Sequence, residues 1–161
     1  ITNTLADENI LTTFITQNPS DQYGVDGIEF DRNGDLLVGN FGDGAVYRIK
    51  FNEDMSVKSN EIWAQDKDNL ESTDGMIMDD DGNLYIADFC ANAIVKILPD
   101  GTVTKLCQNG DTDGFNGELD EPGEPIIWNG RLVVSCFDTV TNDIVVNTAH
   151  ELPATLAEIE L

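Results

Sequence analysis

Residues 26–51 read DGIEFDRNGDLLVGNFGDGAVYRIKF and residues 74–99 read DGMIMDDDGNLYIADFCANAIVKILP, and the two align without a gap at a spacing of 48 residues. A third, shorter copy begins at Glu124 as EPIIWNGRLVVSCFD. Each copy opens with an apolar strand (Ile28–Phe30, Met76–Met78, Ile126–Trp128) and turns at a glycine (Asn33-Gly34, Asp81-Gly82, Asn129-Gly130). A second apolar strand follows (Leu36–Gly39, Leu84–Ala87, Leu132–Ser135). Asn-Gly and Asp-Gly between apolar runs are hairpin signals, because glycine accepts positive φ without strain. In the two full copies a third strand (Ala45–Lys50, Ala93–Leu98) and a fourth (Glu61–Ala64, Val103–Cys107) complete the unit. Four short antiparallel strands recurring at roughly 40–50 residues describe a β-propeller blade. A β-sandwich would also use short strands, but it would not repeat itself at this spacing.

The ends of the chain fit the same scheme. Ile10–Gln17 is similar to a fourth strand, TTFITQN at 12–18 matching VTKLCQN at 103–109, and residues 154–161 (ATLAEIEL) read as a third strand. The expectation is an all-β half-propeller domain over residues 1–161, with three blades of four antiparallel strands. Residues 1–20 would supply a strand of a preceding or partner blade, 23–65 and 72–108 two full blades, and 122–161 a last blade lacking its outer strand. Propellers close with about 4–8 blades. Three blades would leave two open faces, so a second copy of the chain or a missing N-terminal half is expected to complete the ring. The opening residue, Ile1 rather than Met, reads as the start of a processed, excised or partial chain.

Charge narrows the partners. Eight Lys+Arg against 31 Asp+Glu give a formal net charge of −23 over 161 residues, with hydrophobic residues at 40%. The apolar content is enough for a folded core. Such an acidic surface repels phosphate backbones and anionic lipid, which argues against nucleic acid and membrane as partners. It suits divalent cations, cationic partners, or solubility in salty water. No apolar run approaches the ~20 residues of a membrane span, and no signal peptide is evident. Cys90, Cys107 and Cys136 are far apart and read as small buried hydrophobes; they leave the compartment open. His150 is the only histidine, so neither a His-based triad nor a poly-His zinc site can be built from one chain.

At Val25-Asp26-Gly27-Ile28 and Thr73-Asp74-Gly75-Met76, in DGMIMDDDGNLYIAD (74–88), and in the ending SCFD…LPATLAEIEL (135–161), the sequence resembles the gluconolactonase, senescence-marker-protein and luciferin-regenerating group of six-bladed propellers. The resemblance covers most of residues 23–161, the C-terminal half of such a ring. It implies a divalent cation at the top of the central tunnel, Ca²⁺ first, with Mn²⁺, Zn²⁺ or Mg²⁺ as alternatives. Asp74 matches the family's metal-binding Asp, which is also proposed to act as a base. Asp26 stands where the family carries Asn. Glu124 in GEPIIW resembles the family's Glu-bearing motif, but in the last blade rather than the first.

The residues lead to the same place by a separate route. Entries of innermost strands point at a propeller's axis, so Asp26, Asp74 and Glu124 should converge. Converging carboxylates raise one another's pKa unless a cation neutralises them. A bound cation can polarise a lactone or ester carbonyl and acidify water. The competing reading is that Asp-Gly at a strand entry only makes a turn, with Asp capping backbone N–H groups.

Other signals point to structure. Asp79-Asp80-Asp81-Gly82 lies on a hairpin turn. Asn109, Asp111, Asp113, Gly114 and Asp120 fall at positions of an EF-type calcium loop, without flanking helices, and a solvated inter-blade loop is the expected reading. Phe41 and Phe89 could line the tunnel mouth or pack in the core, and Trp63 and Trp128 are expected between blades. Two functions compete: a divalent-metal-dependent hydrolase of lactones or related small esters, with Asp74 as the catalytic group, and a non-catalytic binding or scaffold propeller of the NHL type.

Overall fold

Asp31 and Asp79 occupy equivalent positions in the two full repeats, and each folds its first hairpin in the same way. Asp31 Oδ1 accepts the N–H groups of Asn33 (2.8 Å) and Asp35 (3.0 Å); Asp79 Oδ1 accepts those of Asp81 (2.9 Å) and Asn83 (2.8 Å). Gly34 and Gly82 then take φ of 82° and 84°, which a side chain would resist. The run Asp79–Asp81 is therefore a turn.

These turns belong to a computed structural model that describes residues 6–138 and 145–161. The described residues form eleven strands: β1 (Val25–Phe30), β2 (Leu36–Asn40), β3 (Ala45–Phe51), β4 (Val57–Gln65), β5 (Met76–Met78), β6 (Leu84–Asp88), β7 (Ala93–Ile97), β8 (Val103–Gln108), β9 (Pro122–Trp128), β10 (Arg131–Cys136) and β11 (Leu156–Glu160). They make three antiparallel sheets, β1-β2-β3-β4, β5-β6-β7-β8 and β9-β10-β11. The chain is three blades of a β-propeller, the last with three strands. Residues 154–161 supply that third strand as expected, with Leu132 opposite Ile159.

Two apolar layers hold the blades together. Leu37, Val46, Ala64, Met76, Leu84, Ile86, Val95 and Ile97 fill the space between the first and second sheets. Tyr85, Ala87, Ile94, Leu132, Val134, Cys136 and Ala157 fill that between the second and third. Strand β6 shows why the middle sheet reads as a continuous apolar run: Leu84 and Ile86 serve one layer, Tyr85 and Ala87 the other, and all five of its residues are buried. Trp63 packs on the first layer as expected and carries the Arg48 guanidinium 4.5 Å from its ring centroid.

The outer faces differ. Ile28, Phe30 and Ile62 on the first sheet and Ile126, Trp128 and Leu156 on the third are exposed. Trp128 is thus not between two blades of this chain; it lies on the outer face of the last one. Residues 10–17 form no ladder with the described strands. They lie instead against the first sheet, where Phe14 meets Tyr47 edge-on (5.1 Å between centroids), Thr12 Oγ1 accepts from Asn60 Nδ2 (3.3 Å), and Asp43 accepts the Gln17 and Asn18 N–H groups (2.9 Å). Among the described residues no helix is long and apolar enough to cross a membrane.

Candidate functional site

Strands β1, β5 and β9 open their sheets, and β5 lies between the other two. Their close approach depends on two glycines. A Cβ on Gly27 would stand 2.2 Å from the Asp74 carbonyl oxygen, and one on Gly75 would stand 2.2 Å from Glu124 Oε2 and 2.6 Å from the Gly123 carbonyl oxygen. No side chain fits either contact. The glycine of each Asp-Gly pair thus lets the next strand entry come alongside, which carries Asp26, Asp74 and Glu124 to one cavity of about 590 Å³.

The turn-making role of these aspartates is also real. Asp26 Oδ1 accepts the Gly27 N–H (2.8 Å) and Asp74 Oδ1 the Gly75 N–H (2.9 Å). Each aspartate so held has a second oxygen for other work. Glu124 is positioned from its backbone, whose N–H donates to Ser135 Oγ (3.0 Å) on the neighbouring strand β10.

Every charged side chain lining the cavity is a carboxylate. Burial, and then the nearby Asp26 charge, pushes the Asp74 carboxyl from the ordinary 3.8 up to about 6; the Gly75 N–H pulls it down and Glu124 raises it further. Burial, Asp26 and Glu29 also raise Glu124. None of the ion pairs among the described residues involves the three acids. An oxygen-only donor set, short of positive charge and partly withdrawn from water, fits a hard divalent cation. The three acids share the cavity without closing tightly: the one group of three described acids whose ligand atoms all lie within 4.8 Å of one another is Asp120, Asp138 and Glu151, elsewhere in the chain.

Aromatic side chains form an arc along the same cavity. Tyr23, Phe41, Phe89 and Phe137 follow one another at centroid distances of 5.6, 6.0 and 6.4 Å. Phe41, Phe89 and Phe137 each follow the last residue of a second strand, so the repeat delivers one ring per blade. Phe41 and Phe89 therefore line the cavity mouth. Phe137 and Tyr23 join them; the third copy's Cys136-Phe137 would have pointed to Phe137, whereas Tyr23 lies ahead of the repeat.

The 109–120 segment does not gather into a calcium ring of its own. Asn109 Oδ1 accepts the Leu119 N–H (2.9 Å), Asp111 accepts from Thr148, and Asp113 accepts the Phe115 N–H (3.1 Å). His150 is exposed and lies outside the cavity lining. The cysteines are free, Cys90 and Cys136 are buried, and burial pushes the Cys90 thiol up to about 12, as inert small hydrophobes require.

No family model and no curated protein matches the sequence. Solved structures do match the fold. A luciferin-regenerating enzyme superposes with a TM-score of 0.64 at 13% identity over 85% of this chain and 45% of its own. A gluconolactonase from Xanthomonas campestris gives 0.62 at 15% identity, over 85% and 44%. A regucalcin from Agrobacterium tumefaciens, described as a calcium-binding protein, gives 0.56 at 17%, over 84% and 45%. These propellers are the group that the strand-entry motifs resemble. The chain spans a little under half the length of each.

Proposed function

We propose that this chain carries the metal-binding half of a propeller hydrolase acting on lactones or related small esters. The observation that carries the reading is the convergence of Asp26, Asp74 and Glu124, with no cationic side chain opposing them, on a cavity rimmed by aromatic rings. The likeness of the fold to a gluconolactonase and a regucalcin supports it. Asp26, Asp74 and Glu124 would hold a divalent cation, Ca²⁺ first. When bound, that ion supplies a Lewis acid for the substrate carbonyl and a means of acidifying water.

The protein's own groups set the rest. Asp74 has the raised proton affinity that suits a base working near neutral pH, and its Gly75 hydrogen bond fixes its direction. Glu124 is held by Ser135 through the backbone, so its carboxylate is free to face the cavity. The aromatic arc offers an apolar wall to the substrate's carbon skeleton and displaces water from the acidic floor.

Ring closure is part of the same reading. Further blades, from a preceding N-terminal half or from a second copy, would cover the exposed faces of the first and third sheets, and the packing of residues 10–17 on the first sheet supports reading them as a strand of such a blade. The activity is tested on a panel of aldonolactones and simple esters, with EDTA and with Ca²⁺ or Mn²⁺ added back. Turnover lost to EDTA, restored by metal and absent in Asp74→Asn supports the reading. No metal-dependent turnover on any member leaves a binding or scaffold propeller.

A further inference from the structure

The tightest acidic group in the described chain lies away from the cavity lining. Asp120 stands two residues before the start of β9, Asp138 two residues after the end of β10, and Glu151 lies on the path into β11. Their ligand atoms all lie within 4.8 Å of one another. Asp120 and Asp138 are only 1% and 2% exposed. Three carboxylates so placed repel one another, and none of the ion pairs among the described residues reaches them.

Hydrogen bonding accounts for only part of their oxygens. Asn147 Nδ2 donates to Asp120 Oδ1, and Asn147 is itself held by Asn92. The Glu151 N–H donates to Asp138 Oδ1 (2.9 Å). Asp138 Oδ2 and Glu151 Oε2 are shut off from water and accept nothing. Thr155 Oγ1, immediately before β11, is likewise buried without a partner. It would lie 2.9 Å from a Cβ on Gly114, the same glycine that abuts Asp120. Buried carboxylate oxygens that accept no hydrogen bond are costly unless a cation serves them.

We infer that Asp120, Asp138 and Glu151 form a second divalent-cation site, for Ca²⁺, which clasps one end of the third blade. All its donors are oxygen and they come from irregular segments, which matches the flexible coordination of Ca²⁺ rather than the strict octahedron of Mg²⁺ or the nitrogen and sulfur sets of zinc. The ion ties together the segment before β9, the exit of β10 and the approach to β11. Backbone hydrogen bonds already run between those pieces, from the Phe137 N–H to the Glu121 carbonyl (2.8 Å) and from the Cys136 N–H to the Thr155 carbonyl (3.1 Å), and the ion adds a link between their side chains. Its role is structural: it fixes the strand that completes the last sheet.

Calcium is titrated calorimetrically into EDTA-stripped full chain, for the parent, Asp74→Asn, Glu151→Gln and Asp138→Asn, with thermal melts alongside. Asn tolerates the positive φ that residue 138 adopts (52°). Two ions are expected for the parent and one for Asp74→Asn, still with a calcium-dependent rise in Tm. Adding Glu151→Gln to Asp74→Asn is expected to weaken the remaining site by roughly tenfold or more, because calcium affinity follows ligand charge. The half-buried Glu151 carries the test if Asp138→Asn does not fold. The inference is overturned if Asp74→Asn binds no calcium, or if Glu151→Gln leaves stoichiometry and affinity at the parent's values. An Asp74→Asn protein that keeps both ions, one of them then lost in Glu151→Gln, instead removes Asp74 from the cavity's ligands and retains this site.

Discussion

Asp74 and Asp120 are both aspartates pushed up to about 6 by burial and by an acidic neighbour, yet they sit in opposite kinds of surroundings. Asp74 opens on a cavity of about 590 Å³, and its partners Asp26 and Glu124 are exposed, so a cation held there keeps room for a substrate. Asp120 and Asp138 are almost fully covered and are closed in by Glu151, Asn147 and Thr155, which leaves a cation nothing to react with. Equal acidity therefore does not mean equal function. On the proposed reading, access is what separates a site that exchanges ligands from one that holds a fold together.

The sharpest way to break this contrast is Asp74→Asn. Metal-dependent hydrolysis should fall by at least about a hundredfold, the scale of a lost ligand and general base, while calcium still raises Tm through the third-blade cluster. A melt no longer sensitive to calcium would mean that the two groups are one system.

A paired glycine experiment follows. Gly75→Ala drives a Cβ into Glu124 and Gly123, and should cost about 1–3 kcal/mol of stability and most of the turnover. Gly114→Ala, at φ 67° and 2.9 Å from Thr155 Oγ1, should cost about 1–2 kcal/mol and lower calcium-dependent stability, with turnover intact. Denaturation curves and activity assays on both variants check the split.

Acidity supplies a third test. A carboxyl with its folded pKa raised from 3.8 to about 6 stabilises the fold fully below the unfolded pKa, and that contribution is lost as pH rises through the folded one. These two groups should thus weaken the metal-free protein between about pH 4 and about pH 6, and the gain in Tm from calcium should grow across the same window. Melts in EDTA and in calcium across that range read it directly; a gain independent of pH would remove both carboxyls from cation binding.

The smallest effect belongs to the aromatic arc. Phe137 is 68% exposed, so Phe137→Ala should leave Tm unchanged. It should raise KM for apolar lactones about three- to tenfold, the scale of one aromatic contact, with kcat little changed.

The repeat made most of this fold readable. Strands β2, β5, β6 and β10 lie within a residue or two of where the alternation of DLLVGN, GMIM, NLYIAD and RLVVSC puts them. Strand β4 begins at Val57, earlier than its apolar part, because an outermost strand alternates buried with wet positions and its polar half carries no hydrophobic signal. Residues 10–17 have strand-like composition but make no ladder within the described chain, since a strand exists only beside a partner. Asp26 and Asp74 were legible because they repeat at one spacing, and the same spacing would have pointed to Phe137 after Phe41 and Phe89. Asp138 and Glu151 carried no such mark. The β9–β10 pairing brings Asp138 to Asp120 and Glu151 comes in ahead of β11, at positions that have no counterpart in the two full repeats.

Anomalous diffraction from crystals of the protein soaked in Mn²⁺ tests the central claim most directly. The account predicts a peak inside the aromatic-rimmed cavity, bounded by oxygens of Asp26, Asp74 and Glu124, with at least one coordination position facing open space. A cavity without a peak, or a cation there enclosed on every side by protein, would contradict it.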